Sequence, residues 1–133
     1  LCLGYDREVR FHHANIFRWR ADRHYDLIWS AGLFDYLDDR AFVALMRHLT
    51  AFLAPDGRMV IGNFAPANPT RDFMEFGEWY LNYRDEARLL EFCEESGCED
   101  SRVWVEREPC GINLFLNIQR GARAFGDSLT PPP

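Results

Sequence analysis

The sequence predicts an α/β domain: a mainly parallel sheet with flanking helices, closed by a terminal antiparallel hairpin. Three observations carry this. Tyr25-Asp26-Leu27-Ile28-Trp29-Ser30-Ala31-Gly32 is an apolar run ending in small residues, as a strand at the centre of such a sheet does. An amphipathic helical stretch follows it, then Pro55-Asp56-Gly57 and a second apolar run, Met59 to Phe64, so strand, helix, turn and strand make one crossover unit. Two alternating runs near the end, Ser101 to Glu108 and Ile112 to Gln119, flank Pro109-Cys110-Gly111 and read as a hairpin.

Element by element, Val9 to Asn15 reads as a short strand ending in a polar turn, and Ile16 to His24 as an arginine-rich connection carrying Phe17 and Trp19. Tyr25 to Ser30 is expected to be covered on both faces, because Leu27, Ile28 and Trp29 are continuously apolar. Asp38 or Asp39 can cap the next helix, where a carboxylate accepts free backbone N–H groups. Phe42, Leu45, Met46, Leu49 and Leu53 share one face of that helix, and Pro55 and Gly57 stop it. Pro66 and Pro69 then end the second strand. Asp72 to Tyr83 is expected to be helical, with Phe73, Phe76 and Tyr80 on one face and Gly77 as its weak point. Asp85 to Ser96 is a further helix stopped by Gly97. Residues 1–120 form one domain in this reading, and residues 121–133 a proline-rich tail without order.

Composition narrows the function classes. A chain of 133 residues, 47% hydrophobic and 27% charged, has the balance of a soluble globular domain able to bury a modest core. A net charge of −6 disfavours a nucleic-acid backbone or an anionic membrane as the main partner. No run approaches the ~18 apolar residues that cross a bilayer, and nothing reads as a signal peptide. A cytoplasmic location and no membrane insertion follow as expectations. Cys2, Cys93, Cys98 and Cys110 show no zinc-type spacing and read as free thiols, and His12 and His13 lack metal partners, so no metal is expected.

The order of elements resembles the second half of a class I S-adenosylmethionine-dependent methyltransferase, a Rossmann-like fold. Tyr25-Asp26-Leu27-Ile28 is similar to the start of the family's fourth strand, and Leu53-Ala54-Pro55-Asp56-Gly57-Arg58-Met59-Val60-Ile61 to the turn and strand after it. The likeness covers about Val9 to Gln119, as strands three to seven. It implies that strand one with its glycine-rich cofactor loop, and strand two with its ribose-binding acid, precede Leu1; Gly4 and Asp6 do not replace them. A finer resemblance rests on Asn63-Phe64-Ala65-Pro66-Ala67-Asn68-Pro69-Thr70, Met74-Glu75 and Trp79-Tyr80-Leu81-Asn82-Tyr83-Arg84. That segment is similar to bacterial methyltransferases that make the methyl ester of 3-hydroxypalmitic acid.

The resemblance implies S-adenosyl-L-methionine as cofactor and a small-molecule or fatty-acid carboxylate as acceptor. By its positions, Asn15 would contact the adenine, with Ala14 and Ile16 flanking the ring; an Asx turn is the alternative for Asn15. Ser30, Ala31 and Gly32 would pass beside the methionine moiety, with Phe34 and Asp35 next to the same lip, though small residues there serve close strand–helix packing equally. Asn63, Asn68, Tyr80, Tyr83 and Arg84 are the acceptor-side candidates. Arg84 either forks onto a carboxylate or pairs with Asp72, Glu75 or Asp85. Met74, Phe76 and Trp79 line either a lipid channel or the core. No residue stands out as catalytic, which suits the chemistry, because a carboxylate with a pKa near ~4 is already a nucleophile at neutral pH. A non-catalytic binding or assembly module on the same frame is the alternative. Without strands one and two, the edge of the fourth strand would be open and apolar, so a homodimer through it, or a repositioned amino-terminal segment, is expected.

Overall fold

Strand pairing begins at Tyr25 in the computed structural model, which describes residues 9–121. Cys2, Gly4, Asp6 and all of the proline-rich tail except Gly121 lie outside the described residues. The elements are β1 (Tyr25–Ser30), a 3₁₀ turn (Leu33–Tyr36), α1 (Asp39–Thr50), β2 (Leu53–Phe64), α2 (Arg71–Phe76), α3 (Glu86–Ser96), β3 (Ser101–Arg107) and β4 (Asn113–Arg120). They build one four-stranded sheet in the order β1-β2-β4-β3. β1 and β2 run parallel, and β2–β4 and β4–β3 run antiparallel. The expected crossover and terminal hairpin are therefore both present.

One face of the sheet makes the core. Met59 and Ile61 of β2 align with Ile118 and Leu116 of β4. Against them pack Phe42, Leu45, Met46 and Leu49 of α1 and Leu89 and Phe92 of α3, all buried. α1 forms where the spacing placed it, and Asp38 is its cap, accepting from the Ala41 N–H at 2.8 Å. Leu53 belongs to β2. Pro55-Asp56-Gly57 lies inside that strand as a bulge, where the register jumps from Tyr25↔Leu53 to Leu27↔Arg58.

The other face differs from expectation at β1. Leu27 and Trp29 are 57% and 58% exposed, because no described element covers them; only the Ile28 side packs on the core. Further along that face Trp104 is buried beneath the Arg58 and Arg102 guanidinium groups, at 5.0 and 5.2 Å from its ring centre. β1 is the outer strand of the sheet, so its second edge has no partner among the described residues.

Two further expectations are corrected. Val9 to Asn15 is not a strand. Arg10, Phe11, His12 and His13 are exposed, and no strand among the described residues accepts a ladder from them. The segment is pinned instead through Trp19, whose ring meets Tyr25 and Phe52 and whose carbonyl lies 2.8 Å from His48 Nε2. The helix expected over Asp72 to Tyr83 is only Arg71–Phe76. Gly77 ends it, Glu78 takes φ 59°, and Trp79 to Asp85 runs without regular structure. Asp85 to Ser96 behaves as expected, with Asp85 as cap at 2.9 Å from the Arg88 N–H and Gly97 as the left-handed stop. No helix among the described residues is long and apolar enough to cross a membrane.

Candidate functional site

Ser30, Ala31 and Gly32 leave the carboxyl end of β1, where ligands of open α/β sheets sit. Ala31 is exposed and Gly32 half-buried. A β-carbon on Gly32 would find only Asp35 Oδ2, at 3.8 Å, so the backbone of this lip is open to an approaching group. On the inner side the fit is closed. A β-carbon on Gly62 of β2 would fall 2.7 Å from the Ala31 carbonyl oxygen, so glycine is what lets the two backbone segments approach. Gly62→Val is expected to push the lip outward and cost roughly 1–3 kcal/mol in urea unfolding. An unchanged midpoint would show that the close approach carries no weight.

Beneath the lip sits Asp35, 1% exposed. Its Oδ1 accepts from the Phe64 N–H at 2.8 Å, and its own carbonyl accepts from the Asn82 N–H at 2.8 Å, so one residue ties the ends of β1 and β2 to the later loop. Desolvation raises its pKa from 3.8 to about 6, opposed by the Phe64 N–H and by the Arg84 charge. The folded state therefore holds this proton more tightly than the unfolded chain. Stability from this source is complete below pH 3.8 and is lost as pH rises through about 6. Asp35→Asn keeps an oxygen for Phe64 and removes the buried charge. It should stabilise the chain by about 2 kcal/mol at neutral pH and by nothing in acid. Superimposable pH profiles of the two proteins would count against a desolvated Asp35.

Of the acceptor-side candidates, Asn63 and Arg84 meet in one buried network. Arg84 is 4% exposed. Its Nη1 donates to the Phe34 carbonyl at 3.2 Å and to Asn63 Oδ1 at 3.0 Å, its Nη2 to the Leu37 carbonyl at 2.6 Å, and Nε and Nη2 to Asp39 Oδ1 at 3.1 and 3.0 Å. Every edge of the guanidinium is used inside the protein, with Asp39 as its acid in place of Asp72, Glu75 or Asp85. Asn63, fully buried, donates to the carbonyls of Phe64 and Asn82 at 3.0 and 3.1 Å. Asn68 is folded into the entry of α2, where its Oδ1 accepts from the Thr70 N–H and hydroxyl and its amide reaches Met74 Sδ. Asp39 itself is held below the usual carboxylate range. Partial desolvation pulls upward, but the bonds from Arg88 and Arg84 outweigh it.

Tyr80 and Tyr83 are placed differently. Tyr80 is exposed. Tyr83 lies under the Arg71 guanidinium, 4.5 Å from its ring centre, and its hydroxyl is buried with no hydrogen-bond partner among the described residues. Both Tyr83 and Arg84 border an open cleft of about 510 Å³, with Arg71, Arg88 and Asp39 on its walls. The cleft is polar and charged, unlike a lipid channel. Met74 is buried, whereas Phe76 and Trp79 are exposed, so the three do not line one surface. Trp79 Nε1 donates to the Tyr36 hydroxyl at 2.7 Å, fixing an aromatic patch beside the lip.

Ala14, Asn15 and Ile16 stand apart from this arrangement. Asn15 Oδ1 accepts from the Phe17 N–H at 3.0 Å, an Asx turn, and its carbonyl accepts from the N–H groups of Arg18 and Trp19. Ala14 is exposed and Ile16 packs on the edge of the core. Through Trp19 the segment is anchored where β1 and β2 start, the end opposite Ser30-Ala31-Gly32. Sequence reasoning gave no site role to Asp39 or Asn82. Asn82 Nδ2 bonds the carbonyls of Asp35 and Leu37 at 3.1 and 3.0 Å, and its position in a stretch expected to be helical gave no sign of that. Among the described residues no group of three or more His, Cys, Asp or Glu side chains is placed to hold a metal ion.

Solved structures with this fold are methyltransferases in several cases. An S-adenosylmethionine-dependent methyltransferase, SibL, superposes with a TM-score of 0.69 at 19% identity, over 88% of this chain and 37% of its own. The 1,6-didemethyltoxoflavin-N1-methyltransferase of Burkholderia thailandensis, solved with bound 1,6-didemethyltoxoflavin and S-adenosylhomocysteine, gives 0.66 at 17% identity, over 90% and 54%. A possible exported protein of Bordetella parapertussis gives 0.71 at 20% identity, over 91% and 48%. The fold is thus that of methyltransferase Rossmann-like domains, and the chain spans about half or less of most of these proteins. No family model matches the sequence, and no curated protein matches it.

Proposed function

We propose that this chain is the carboxyl-terminal part of an S-adenosylmethionine-dependent methyltransferase domain acting on a small-molecule or fatty-acid carboxylate. The observation that carries the reading is the sheet order β1-β2-β4-β3 with an open lip, Ser30-Ala31-Gly32, at the carboxyl end of β1. That order corresponds to the family's fourth, fifth, seventh and sixth strands. The lip suits the cofactor chemically, because open backbone and the Asp35 carboxylate beneath it favour the cationic sulfonium and ammonium of S-adenosylmethionine. The cofactor supplies the methyl group. The chain's own part is to aim and desolvate an already ionised carboxylate, for which alignment is worth more than a proton acceptor.

Within this reading Ser30, Ala31 and Gly32 flank the methionine moiety. Tyr80 and Tyr83 face the acceptor, while Asn63, Asn68 and Arg84 fix the loops that present them. Asn15, with Ala14 and Ile16, would have to swing toward the lip to meet an adenine. An ester of 3-hydroxypalmitic acid is the product by the finer likeness around Asn63 to Arg84, and a cytoplasmic, bacterial setting belongs with it. This chain supplies one wall of the crevice and should be inactive by itself.

The uncovered Leu27 and Trp29 favour a second reading, a binding or assembly module that pairs through the free edge of β1. Calorimetric titration of S-adenosylhomocysteine into the 133-residue chain separates the two. Weak saturable binding, in the millimolar range and displaced by S-adenosylmethionine, is expected for a cofactor half-site. Absence of any heat, together with a dimer that persists on dilution in light scattering, would replace the enzyme reading with the assembly module.

A further inference from the structure

The end of α3 carries an arrangement that the proposed methyl transfer does not use. Its last turn closes as a Schellman motif. The Cys98 N–H bonds the Cys93 carbonyl at 3.1 Å, the Gly97 N–H bonds the Glu94 carbonyl at 3.2 Å, and Gly97 is left-handed at φ 77°. This motif brings together the side chains of the residue after the glycine and of the residue five positions before it, usually as an apolar contact. Here those two positions are both cysteines. The two thiols lie near enough to shift each other's titration.

We propose that Cys93 and Cys98 form an oxidant-responsive pair, in which Cys98 is the sulfur oxidised first and Cys93 closes the disulfide. Their surroundings divide the roles. Cys93 is 5% exposed and packs in the core, whereas Cys98 is only partly buried at the surface of the turn. The Ser96 hydroxyl lies 3.0 Å from Cys98 Sγ. Arg47, which donates to the carbonyls of Glu95 and Ser96 at 2.9 and 3.3 Å, brings a positive charge to the same turn, against the acids Glu94 and Glu95 on the helix. The neighbouring Cys93 thiol holds the Cys98 thiol down to about 6, helped by Ser96 and Arg47 against desolvation. The Cys98 sulfur and burial push Cys93 up. A thiolate is the reactive form of cysteine, so the two sulfurs are set for different steps.

With hydrogen peroxide as oxidant, the Cys98 thiolate attacks one peroxide oxygen. The O–O bond breaks, hydroxide leaves and takes up a proton as water, and Cys98 becomes a sulfenic acid. The Cys93 sulfur then attacks the Cys98 sulfur, the S–O bond breaks, and the oxygen departs as water with the thiol proton. Two thiols and one peroxide give one disulfide and two waters, each sulfur losing one electron. The bond fastens the end of α3, the helix that carries the core residues Leu89 and Phe92, to the loop entering β3.

Mass spectrometry of the full chain tests this. The reduced protein is treated with hydrogen peroxide, alkylated with iodoacetamide and digested with trypsin, which releases Leu89 to Arg102 as one peptide. That peptide should be two hydrogens lighter and unalkylated, and its halves should stay joined after cleavage at Glu94 and Glu95 until a reductant is added. Without peroxide, Cys98 should alkylate roughly tenfold faster than the exposed Cys110 at neutral pH. Cys93→Ser should leave Cys98 as a sulfenic acid trapped by dimedone, and Cys98→Ser should abolish the oxidation of Cys93. Cys93 and Cys98 remaining as alkylatable as Cys110 after peroxide, or chains linked through Cys110 instead, would overturn the proposal.

Discussion

Replacing Arg84 by methionine is expected to destabilise the chain by roughly 3–5 kcal/mol, read from the urea midpoint. The methionine stem can fill the space, but buried Asn63 Oδ1 loses its donor, the carbonyls of Phe34 and Leu37 keep only the Leu37 N–H and Asn82 Nδ2, and Asp39 loses its buried cation. An unmade hydrogen bond of this kind costs about 1–3 kcal/mol each. Arg84→Lys keeps the charge yet lacks the planar fork, so it should recover less than half of the loss. Asp39→Asn should cost much less, about 1 kcal/mol, because Asp39 is half exposed and screened. An Arg84→Met change below about 1 kcal/mol would mean that the network is not what holds the 3₁₀ turn to the loop before α3.

The second large effect is expected at Phe42. Its ring is fully buried, 4.7 Å from Phe34 and 4.5 Å from Phe92 between ring centres, with the Arg84 guanidinium 4.8 Å from its own. Phe42→Ala opens a cavity where α1, α3 and the turn after β1 meet, and should cost roughly 3–5 kcal/mol. The two substitutions share partners, so they should not add. The double variant should be less destabilised than the sum by roughly 0.5–3 kcal/mol. Strict additivity would show that Arg84 and the aromatic cluster act independently, and that the lip is supported by only one of them.

Local signals made much of the fold legible. The face of Phe42, Leu45, Met46 and Leu49 could only be a helix, and the alternation around Val103, Trp104 and Val105 could only be a strand. The failures have one cause. They depend on partners far away in sequence. Val9 to Asn15 had strand-like residues but no strand among the described residues to pair with. Trp79 to Tyr83 was expected to continue a helix, but the Asn82 and Arg84 bonds to residues 45 to 50 positions earlier hold the segment without regular structure. Leu27 and Trp29 were apolar enough for a covered strand, yet composition does not say whether a covering layer is present. The lip was legible because small residues at a strand end are a local pattern. Asp39 was legible only as a cap, since its pairing with Arg84 spans 45 positions.

The most direct test is a residue-by-residue map of S-adenosylhomocysteine binding, by amide nuclear magnetic resonance on the labelled 133-residue chain. Progressive, saturable shifts should appear at Ser30, Ala31, Gly32 and Asp35, with weak affinity, and should vanish in Gly62→Val. Shifts confined to the Arg71–Arg88 cleft or to the exposed face of β1, or none at all at millimolar ligand, would contradict the assignment of this lip to a methyltransferase cofactor site.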